Sequence, residues 1–119
     1  MKQAAAVPAL AGADFAAILK SPTRRRGRHF SLFWRESGRH RLGTVVSRKL
    51  AGSAVRRNLV KRHARTMFQT WCLRHGDVGG IDVVIRVTAD IRGLSRAAEF
   101  SELSTLFSAL APPGAEVRI

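Results

Sequence analysis

The sequence predicts an α+β sandwich, in which helices pack on a small mixed sheet in the order α-β-β-α-β-α. Residues 29–35 alternate between apolar and polar side chains, which is typical of a half-buried strand. Residues 81–87 form a nearly continuous run of Val and Ile, which favours a central strand buried on both faces. Residues 53–74 repeat apolar side chains at helical spacing, which predicts a long helix.

The length and apolar content of the chain predict the number of domains. A chain of 119 residues with 45% hydrophobic side chains can bury one core but is too short for two full domains. We therefore expect a single domain over residues 1–119, with its core between about 14 and 110. Residues 1–12 and 112–119 are expected to be flexible. The single cysteine, Cys72, leaves no internal disulfide and fits a reducing cytoplasm.

The first half of the chain predicts one short helix and two strands. An amphipathic helix over residues 14–20 ends at a proline, which disfavours helix in the residue before it. Residues 24–28 read as a basic loop. In the strand over 29–35, even-numbered side chains face one side of the sheet and odd-numbered ones the other. A turn signal at 36–40 and a β-branched run at 42–47 then predict a second strand, paired antiparallel with the first.

The second half predicts two helices around the central strand. Ser53 is a good N-cap for a helix that runs to about Arg74. Ser95 caps the last helix, in which Glu99 and Glu102 lie near the positive N-terminal end of the helix dipole. The expected buried stripe of that helix is Phe100, Leu103, Leu106, Phe107 and Leu110.

Positive charge is concentrated in the middle of the chain. The net charge is +13, and fifteen of the 21 Lys and Arg residues lie between Lys20 and Arg65, where the one acid is Glu36. On a helical wheel, one cationic edge lies directly beside the core-facing edge. The cationic edge is Arg57, Asn58, Lys61, Arg62 and Arg65, and the core edge is Val60, Ala64, Met67, Phe68 and Trp71. Without acids to pair with them, these cations indicate a polyanion, with nucleic acid favoured over an anionic membrane surface.

Two segments carry a resemblance to a known family. Residues 41–49 read Arg-Leu-Gly-Thr-Val-Val-Ser-Arg-Lys, and residues 52–65 contain Gly-x-Ala-Val-x-Arg-Asn-x-x-Lys-Arg-x-x-Arg. They resemble the strand and the signature helix of the bacterial ribonuclease P protein component, and weaker similarity extends over 14–110. The family usually has arginine where Leu59 stands here. Arg56, just before the motif, is a candidate to replace that arginine.

The resemblance implies a fold and a function. The implied fold is an α/β sandwich with a left-handed crossover. The implied function is that of the protein subunit of ribonuclease P, which binds the catalytic RNA and the 5′ leader of precursor tRNA. It would assist endonucleolytic removal of the leader in the cytoplasm. The RNA would carry the chemistry with Mg²⁺, so we expect no Mg²⁺ site on the protein alone, and neither a membrane nor an obligate protein partner.

The resemblance also assigns two sets of residues. A cleft between the sheet and the first helix would hold the single-stranded leader on the aromatic rings of Phe15, Phe30 and Phe33. Plain core packing is the alternative for each ring, and it is favoured for Phe30, whereas the opposite strand face favours Phe33 for the cleft. The residues expected to bind RNA are Arg48, Lys49, Arg56, Arg57, Asn58, Lys61, Arg62 and Arg65.

Other functions fit the residues less well. A ribosomal-protein-like RNA binder would show the same cationic edge, and stays the main alternative. A DNA-binding helix-turn-helix needs two helices around a short turn, whereas strands flank the basic helix here. A nuclease acting alone would need clustered carboxylates or a histidine pair, and the acids and histidines are scattered. Cys72 and His75 are three residues apart but lack a second pair of zinc ligands.

Overall fold

The computed structural model describes residues 10, 12–20, 23–75 and 80–110. The ends that we expected to be flexible lie outside this part of the chain, apart from Leu10 and Gly12. The elements in chain order are α1 (Gly12–Leu19), β1 (Arg24–Arg26), β2 (Phe30–Ser37), β3 (Arg41–Val45), α2 (Arg48–Ala51), α3 (Ala54–Arg74), β4 (Gly80–Val87) and α4 (Arg96–Ser108).

The four strands form one mixed sheet in the order β1-β2-β4-β3. The Val- and Ile-rich β4 lies between two partners, antiparallel to β2 and parallel to β3. Its predicted central position is therefore confirmed. Because α2 and α3 lie in the connection from β3 to β4, the chain makes the helical crossover that a parallel pair requires.

The predicted pairing of β2 with β3 is wrong, because β4 inserts between them. The chain does turn after β2, as predicted, but it then crosses the start of β4 instead of closing a hairpin. A Cβ atom at Gly80 would overlap the backbone of Arg39, so only glycine admits this close crossing. Both edges of β4 are buried and need hydrogen-bond partners, so β4 pairs with β2 on one side and with β3 on the other.

Residues 24–26, predicted as loop, form the edge strand β1. They pair antiparallel with β2, with Arg24 opposite Phe33 and Arg26 opposite Ser31. Three successive arginines have no apolar alternation, so the sequence carries no strand signal here. Backbone pairing with the edge of β2 supplies the strand instead, and all three side chains are exposed.

The sheet separates two apolar clusters, as the alternation of β2 predicts. On one face, Phe30 and Leu32 pack with Val83 and Ile85 against α3 and α4. On the other face, Phe33 and Val84 pack under Ile18 of α1 and against Leu10. The helices α3 and α4 thus cover one side of the sheet and α1 covers the other.

The long helices begin where the sequence predicts. The Ser53 hydroxyl accepts a hydrogen bond from Arg56 N at 3.0 Å, and the Ser95 hydroxyl accepts one from Ala98 N at 3.0 Å. The short helix α2 was not predicted. Gly52, at φ 91°, separates α2 from α3 with a backbone conformation that favours glycine.

The predicted buried stripe of α4 is correct except at its first residue. Leu103, Leu106, Phe107 and Leu110 are buried, whereas Phe100 is 47% exposed and packs edge-on against His63. Glu99 takes the buried position instead and has no exposed surface. A carboxylate replaces an aromatic ring in the interior because two cationic or polar side chains of α3 bind it there.

Candidate nucleic-acid interface

One edge of α3 presents cations to solvent, and we call Arg57, Asn58, Lys61, Arg62 and Arg65 the motif face. Its neighbouring edge packs into the core where the helical wheel places it, through Val60, Ala64, Met67, Phe68 and Trp71. Of the motif face, Arg57 is half-buried and the other four residues are exposed. Burial of one edge therefore fixes the direction in which the other edge points.

No carboxylate among the described residues forms an ion pair with the motif face. The carboxylates that the structure describes are engaged elsewhere: Asp14 and Asp82 by Arg35 and Arg41, Asp90 by Arg92, Glu99 by Arg56 and His63, Glu102 by His29, and Glu36 by an interaction of its own. Within the part of the chain that the structure describes, the motif face keeps its positive charge, which suits an external polyanion.

A groove of about 290 Å³ opens between α1, β3 and α3. The ring of Phe15 lies on one side of it, and Lys61 and Arg65 of the motif face lie on another. Gly43 on the edge strand β3 lets the Phe15 ring lie against the strand, because a Cβ atom there would overlap the ring. An aromatic ring beside two cations is the combination that holds single-stranded nucleic acid, by base stacking and phosphate binding.

The three predicted leader aromatics occupy different places. Phe15 lines the groove and is partly exposed. Phe33 lies on the same side of the sheet but is only 5% exposed beneath α1. Phe30 is fully buried on the opposite side, in the core under α3 and α4. Its assignment to a cleft is therefore corrected: in this structure the Phe30 ring cannot stack on a base.

Arg56 fits the predicted RNA-binding set least. Its guanidinium turns inward, where it binds the Glu99 carboxylate and donates to the backbone carbonyls of Leu94 at 3.0 Å and Ile91 at 3.3 Å. The Glu99 carboxylate also contacts His63 Nδ1 at 2.6 Å. Arg56 therefore ties α3 to α4 and to the segment before it, and it does not stand in for the arginine absent at position 59. Arg48 and Lys49 on α2 are exposed, as an RNA-binding role requires.

A second buried ion cluster fastens α1 to the sheet. Asp82 on β4 accepts hydrogen bonds from Arg41 at 2.8 and 2.7 Å and from Arg35 at 3.1 Å. Both arginines also reach Asp14 of α1, at 3.1 Å each. Burial alone would raise the pKa of Asp82, but the hydrogen bonds from Arg41 and Arg35 outweigh it and lower that pKa. The cluster holds in place the helix that carries Phe15.

Sequence reasoning missed this cluster, although a signal was present. Asp82 stands within a run of Val and Ile that is buried on both faces, and a buried carboxylate requires a cationic partner. What the run does not reveal is which of many arginines supplies the charge. The register of the sheet decides, since it places both Arg35 and Arg41 opposite Asp82.

Three other features considered from the sequence are the Cys72 thiol, a metal site and a membrane-spanning helix. Burial raises the pKa of the Cys72 thiol to about 11, so the thiol stays protonated at neutral pH. Within the described residues, no three His, Cys, Asp or Glu side chains come together as a set able to hold a metal ion. Nor does any helix in that part of the chain have the length and apolar character needed to cross a membrane.

Comparison with known proteins gives consistent results. The Ribonuclease P family model matches residues 10–111. The ribonuclease P protein component of Ralstonia pickettii is 42% identical over 78 residues, which are 64% of this chain and 54% of that protein. The corresponding protein of Burkholderia pseudomallei is 39% identical over 77 residues, again 64% of this chain and 54% of that protein. The chain thus spans about half the length of the curated relatives it matches.

Solved structures agree on the fold. The RNase P protein of Staphylococcus aureus superposes with a TM-score of 0.70 at 24% identity, covering 85% of this chain and 93% of that one. The RNase P protein of Thermotoga maritima gives a TM-score of 0.62 at 27% identity, covering 82% of this chain and 92% of that one. The predicted α+β architecture of a sheet with packed helices is confirmed.

Proposed function

The chain belongs to the ribonuclease P protein family, and from that premise we propose that it is the protein subunit of a bacterial ribonuclease P. In this role it binds the catalytic RNA and the 5′ leader of precursor tRNA in the cytoplasm. The observation that supports the proposal most directly is the junction of the motif face with the Phe15 groove. That junction offers one continuous surface with an aromatic ring and with cations that no described carboxylate pairs.

The two parts of this surface would do different work. The exposed motif-face side chains Asn58, Lys61, Arg62 and Arg65 would bind phosphates of the catalytic RNA, with the arginine forks able to hold phosphate oxygens in pairs. Phe15 would stack on a base of the leader in the groove beside Lys61 and Arg65. The protein would thereby raise the affinity for precursor over mature tRNA, since only the precursor carries a leader.

The chemistry itself would be carried by the RNA subunit with Mg²⁺. On the protein, the carboxylates of Asp14, Asp82 and Glu99 are already bonded to arginine side chains. The cations of the motif face would instead neutralise RNA phosphates and so lower the Mg²⁺ concentration that the complex needs.

Reconstitution tests the function. The protein is mixed with a bacterial ribonuclease P RNA and precursor tRNA at low Mg²⁺, and release of the 5′ leader is followed. We expect cleavage that requires both components. Salt-sensitive RNA binding without rescue of cleavage would favour the ribosomal-protein-like alternative, and would direct attention to Leu59, which stands where the family usually has arginine.

A pair of phenylalanine variants tests the groove. Phe15→Ala should weaken binding of precursor tRNA to the reconstituted complex by roughly 5- to 100-fold, the loss of one base–aromatic stack, and leave mature tRNA binding unchanged. Phe100→Ala is the matched control, because Phe100 is also exposed but lies on α4 away from the groove. Equal losses for precursor and mature tRNA would mean that Phe15 serves packing alone.

A further inference from the structure

A second cationic surface lies at the opposite edge of the sheet from the motif face. The turn between β1 and β2 and the side of α4 enclose a groove of about 850 Å³. Its rim carries Arg25, Arg26 and Arg28, which we call the turn arginines, and its floor is formed by polar and aliphatic residues of α4 and its flanks. All three side chains are exposed. From the sequence, this segment is predicted as a basic loop without an assigned role.

The turn arginines have no structural task that the fold would explain. β1 is held by backbone pairing with β2, which does not depend on side-chain identity. Within the described residues, none of the three arginines forms an ion pair, whereas Arg35, Arg41, Arg56 and Arg92 each do. Like charges this close together repel one another and destabilise the compact state. Such a cluster is typical of a surface that a polyanion neutralises.

The turn is held in one conformation by Glu102 of α4. Its carboxylate accepts hydrogen bonds from the backbone N–H groups of His29 at 2.6 Å and Phe30 at 3.0 Å, and contacts His29 Nδ1 at 2.8 Å. Gly27 allows the approach, because a Cβ atom there would lie 2.7 Å from Glu102 Oε2. Gly27 N also donates to Phe30 O at 2.7 Å. The arginines on either side of Gly27 are therefore carried by a braced turn, which reduces the entropy lost on binding.

The distance between the two cationic surfaces decides what they can share. β1 and β3 are the two edges of the sheet, with β2 and β4 between them. At about 4.8 Å per strand, the edges are roughly 14 Å apart, and α3 lies over the β3 side. One phosphate group cannot contact both surfaces, so an RNA that binds both must present different phosphates to each edge of the sheet.

We propose that the turn arginines form a second RNA-binding surface, which holds the phosphate backbone of a segment distinct from the one on the motif face. Glu102 is its positioning residue. The proposal goes beyond the proposed function, and rests on it in that the partner is RNA. Charge favours RNA over a protein partner, because the turn arginines form no ion pair within the described residues, and the described lining holds no aromatic anchor apart from His29.

Two charge-removal variants test the proposal and the proposed function separately. The turn variant is Arg25→Gln, Arg26→Gln and Arg28→Gln together, and the motif variant is Arg57→Gln, Lys61→Gln and Arg62→Gln together. Affinity for ribonuclease P RNA is measured across a salt series. We expect each variant to reduce the slope of log affinity against log salt by about 2, since each phosphate contact contributes roughly 0.7–0.9.

The outcomes separate the two ideas. An unchanged slope in the turn variant with a reduced slope in the motif variant would overturn the second surface and leave the proposed function intact. Unchanged slopes in both would overturn both. A turn variant that loses binding to vesicles of phosphatidylglycerol, yet keeps its RNA slope, would reassign the turn arginines to an anionic membrane surface and overturn the proposal.

Glu102→Gln distinguishes a positioned site from general charge attraction. The change makes the protein more positive, so non-specific attraction predicts tighter RNA binding. If Glu102 braces the turn, the affinity of the variant for RNA should fall about 3-fold or more. The reason is that arginines on a mobile turn lose more entropy on binding than arginines on a braced turn. A tighter complex would overturn the positioning role, with thermal unfolding of the variant measured to confirm that it folds.

Cross-linking maps the segment directly and does not depend on affinity. In a Cys72→Ser background, a photo-reactive probe is attached to Arg28→Cys or to Arg62→Cys, and the cross-linked nucleotides of ribonuclease P RNA are identified. Two different RNA segments are expected from the opposite edges of the sheet. The same nucleotides from both probes, or none from Arg28→Cys, would contradict a second surface.

Discussion

Two groups of arginines in this protein differ in what faces them. Arg35, Arg41 and Arg56 each bind a carboxylate that is partly or fully buried, and their guanidinium groups hold elements of the fold together. The arginines of the motif face and of the β1–β2 turn bind no carboxylate among the described residues. The same side chain therefore serves the interior in one region and an external polyanion in the other.

The comparison shows why a count of charges is a poor guide to the interface. Arg56 and Arg57 are neighbours on the same helix, yet a rotation of 100° between successive residues turns the first toward α4 and the second toward the cationic edge. Burial of Glu99 on α4 draws Arg56 inward, because an unpaired buried carboxylate would cost several kcal/mol. The position of the acids decides which cations remain for RNA.

The largest effect is expected from removing the acid at the centre of the α1 cluster. Asp82→Asn leaves Arg35 and Arg41 facing a neutral amide and should lower the free energy of unfolding by about 3 kcal/mol, measured by urea denaturation. Asp90→Asn is the control, because Asp90 pairs with Arg92 on the surface and should matter far less. Equal losses in the two variants would show that the buried cluster does not hold the fold.

Arg56→Ala and Arg62→Ala should separate the two groups of arginines on one helix. Arg56→Ala leaves Glu99 with His63 alone and should lower the free energy of unfolding by about 2 kcal/mol, without changing the salt slope of RNA binding. Arg62→Ala should change stability by less than about 0.5 kcal/mol and reduce that slope by about 0.9. The pattern would be contradicted if Arg56→Ala reduced the slope as much as Arg62→Ala does.

The smallest expected effect is on the pH dependence of stability, and it comes from a histidine, His40. His40 packs edge-on against Phe68 and Trp71, and its ring nitrogens have no hydrogen-bond partner in the described residues. Burial lowers the pKa of His40, so the folded protein favours the neutral ring. A lowered folded-state pKa contributes stability that is present above the unfolded pKa, about 6.5, and is lost as the pH falls through the folded pKa.

Unfolding at several pH values between 7 and 5 checks this sign. The wild-type protein should lose stability over that window, and His40→Phe should lose less, because phenylalanine keeps the ring and removes the titrating group. An equal loss in His40→Phe and in the wild type would place the pH sensitivity at another titrating group.

Much of the architecture and half of the candidate interface followed from local pattern. The 3.6-residue period of α3 predicts both which edge is buried and which edge carries the cations, because both depend only on helix geometry. The alternation in β2 likewise places Phe30 and Phe33 on opposite faces. The Val and Ile run predicts a central β4, since only a strand covered on both faces can bury such a segment.

Tertiary structure decided the pairings between distant segments. The neighbour of β3 is β4 rather than β2, and the strand β1 exists only because β2 offers it a free edge. Contacts between residues more than 30 positions apart decide which arginines bind Asp82 and Glu99. They thereby decide which arginines stay available for RNA. Local sequence encodes periodicity and charge, whereas the three-dimensional register of the fold sets the partner of a buried charge. The reason is that only an opposite charge within hydrogen-bond distance relieves the electrostatic cost of burial, and the fold decides which side chain lies there.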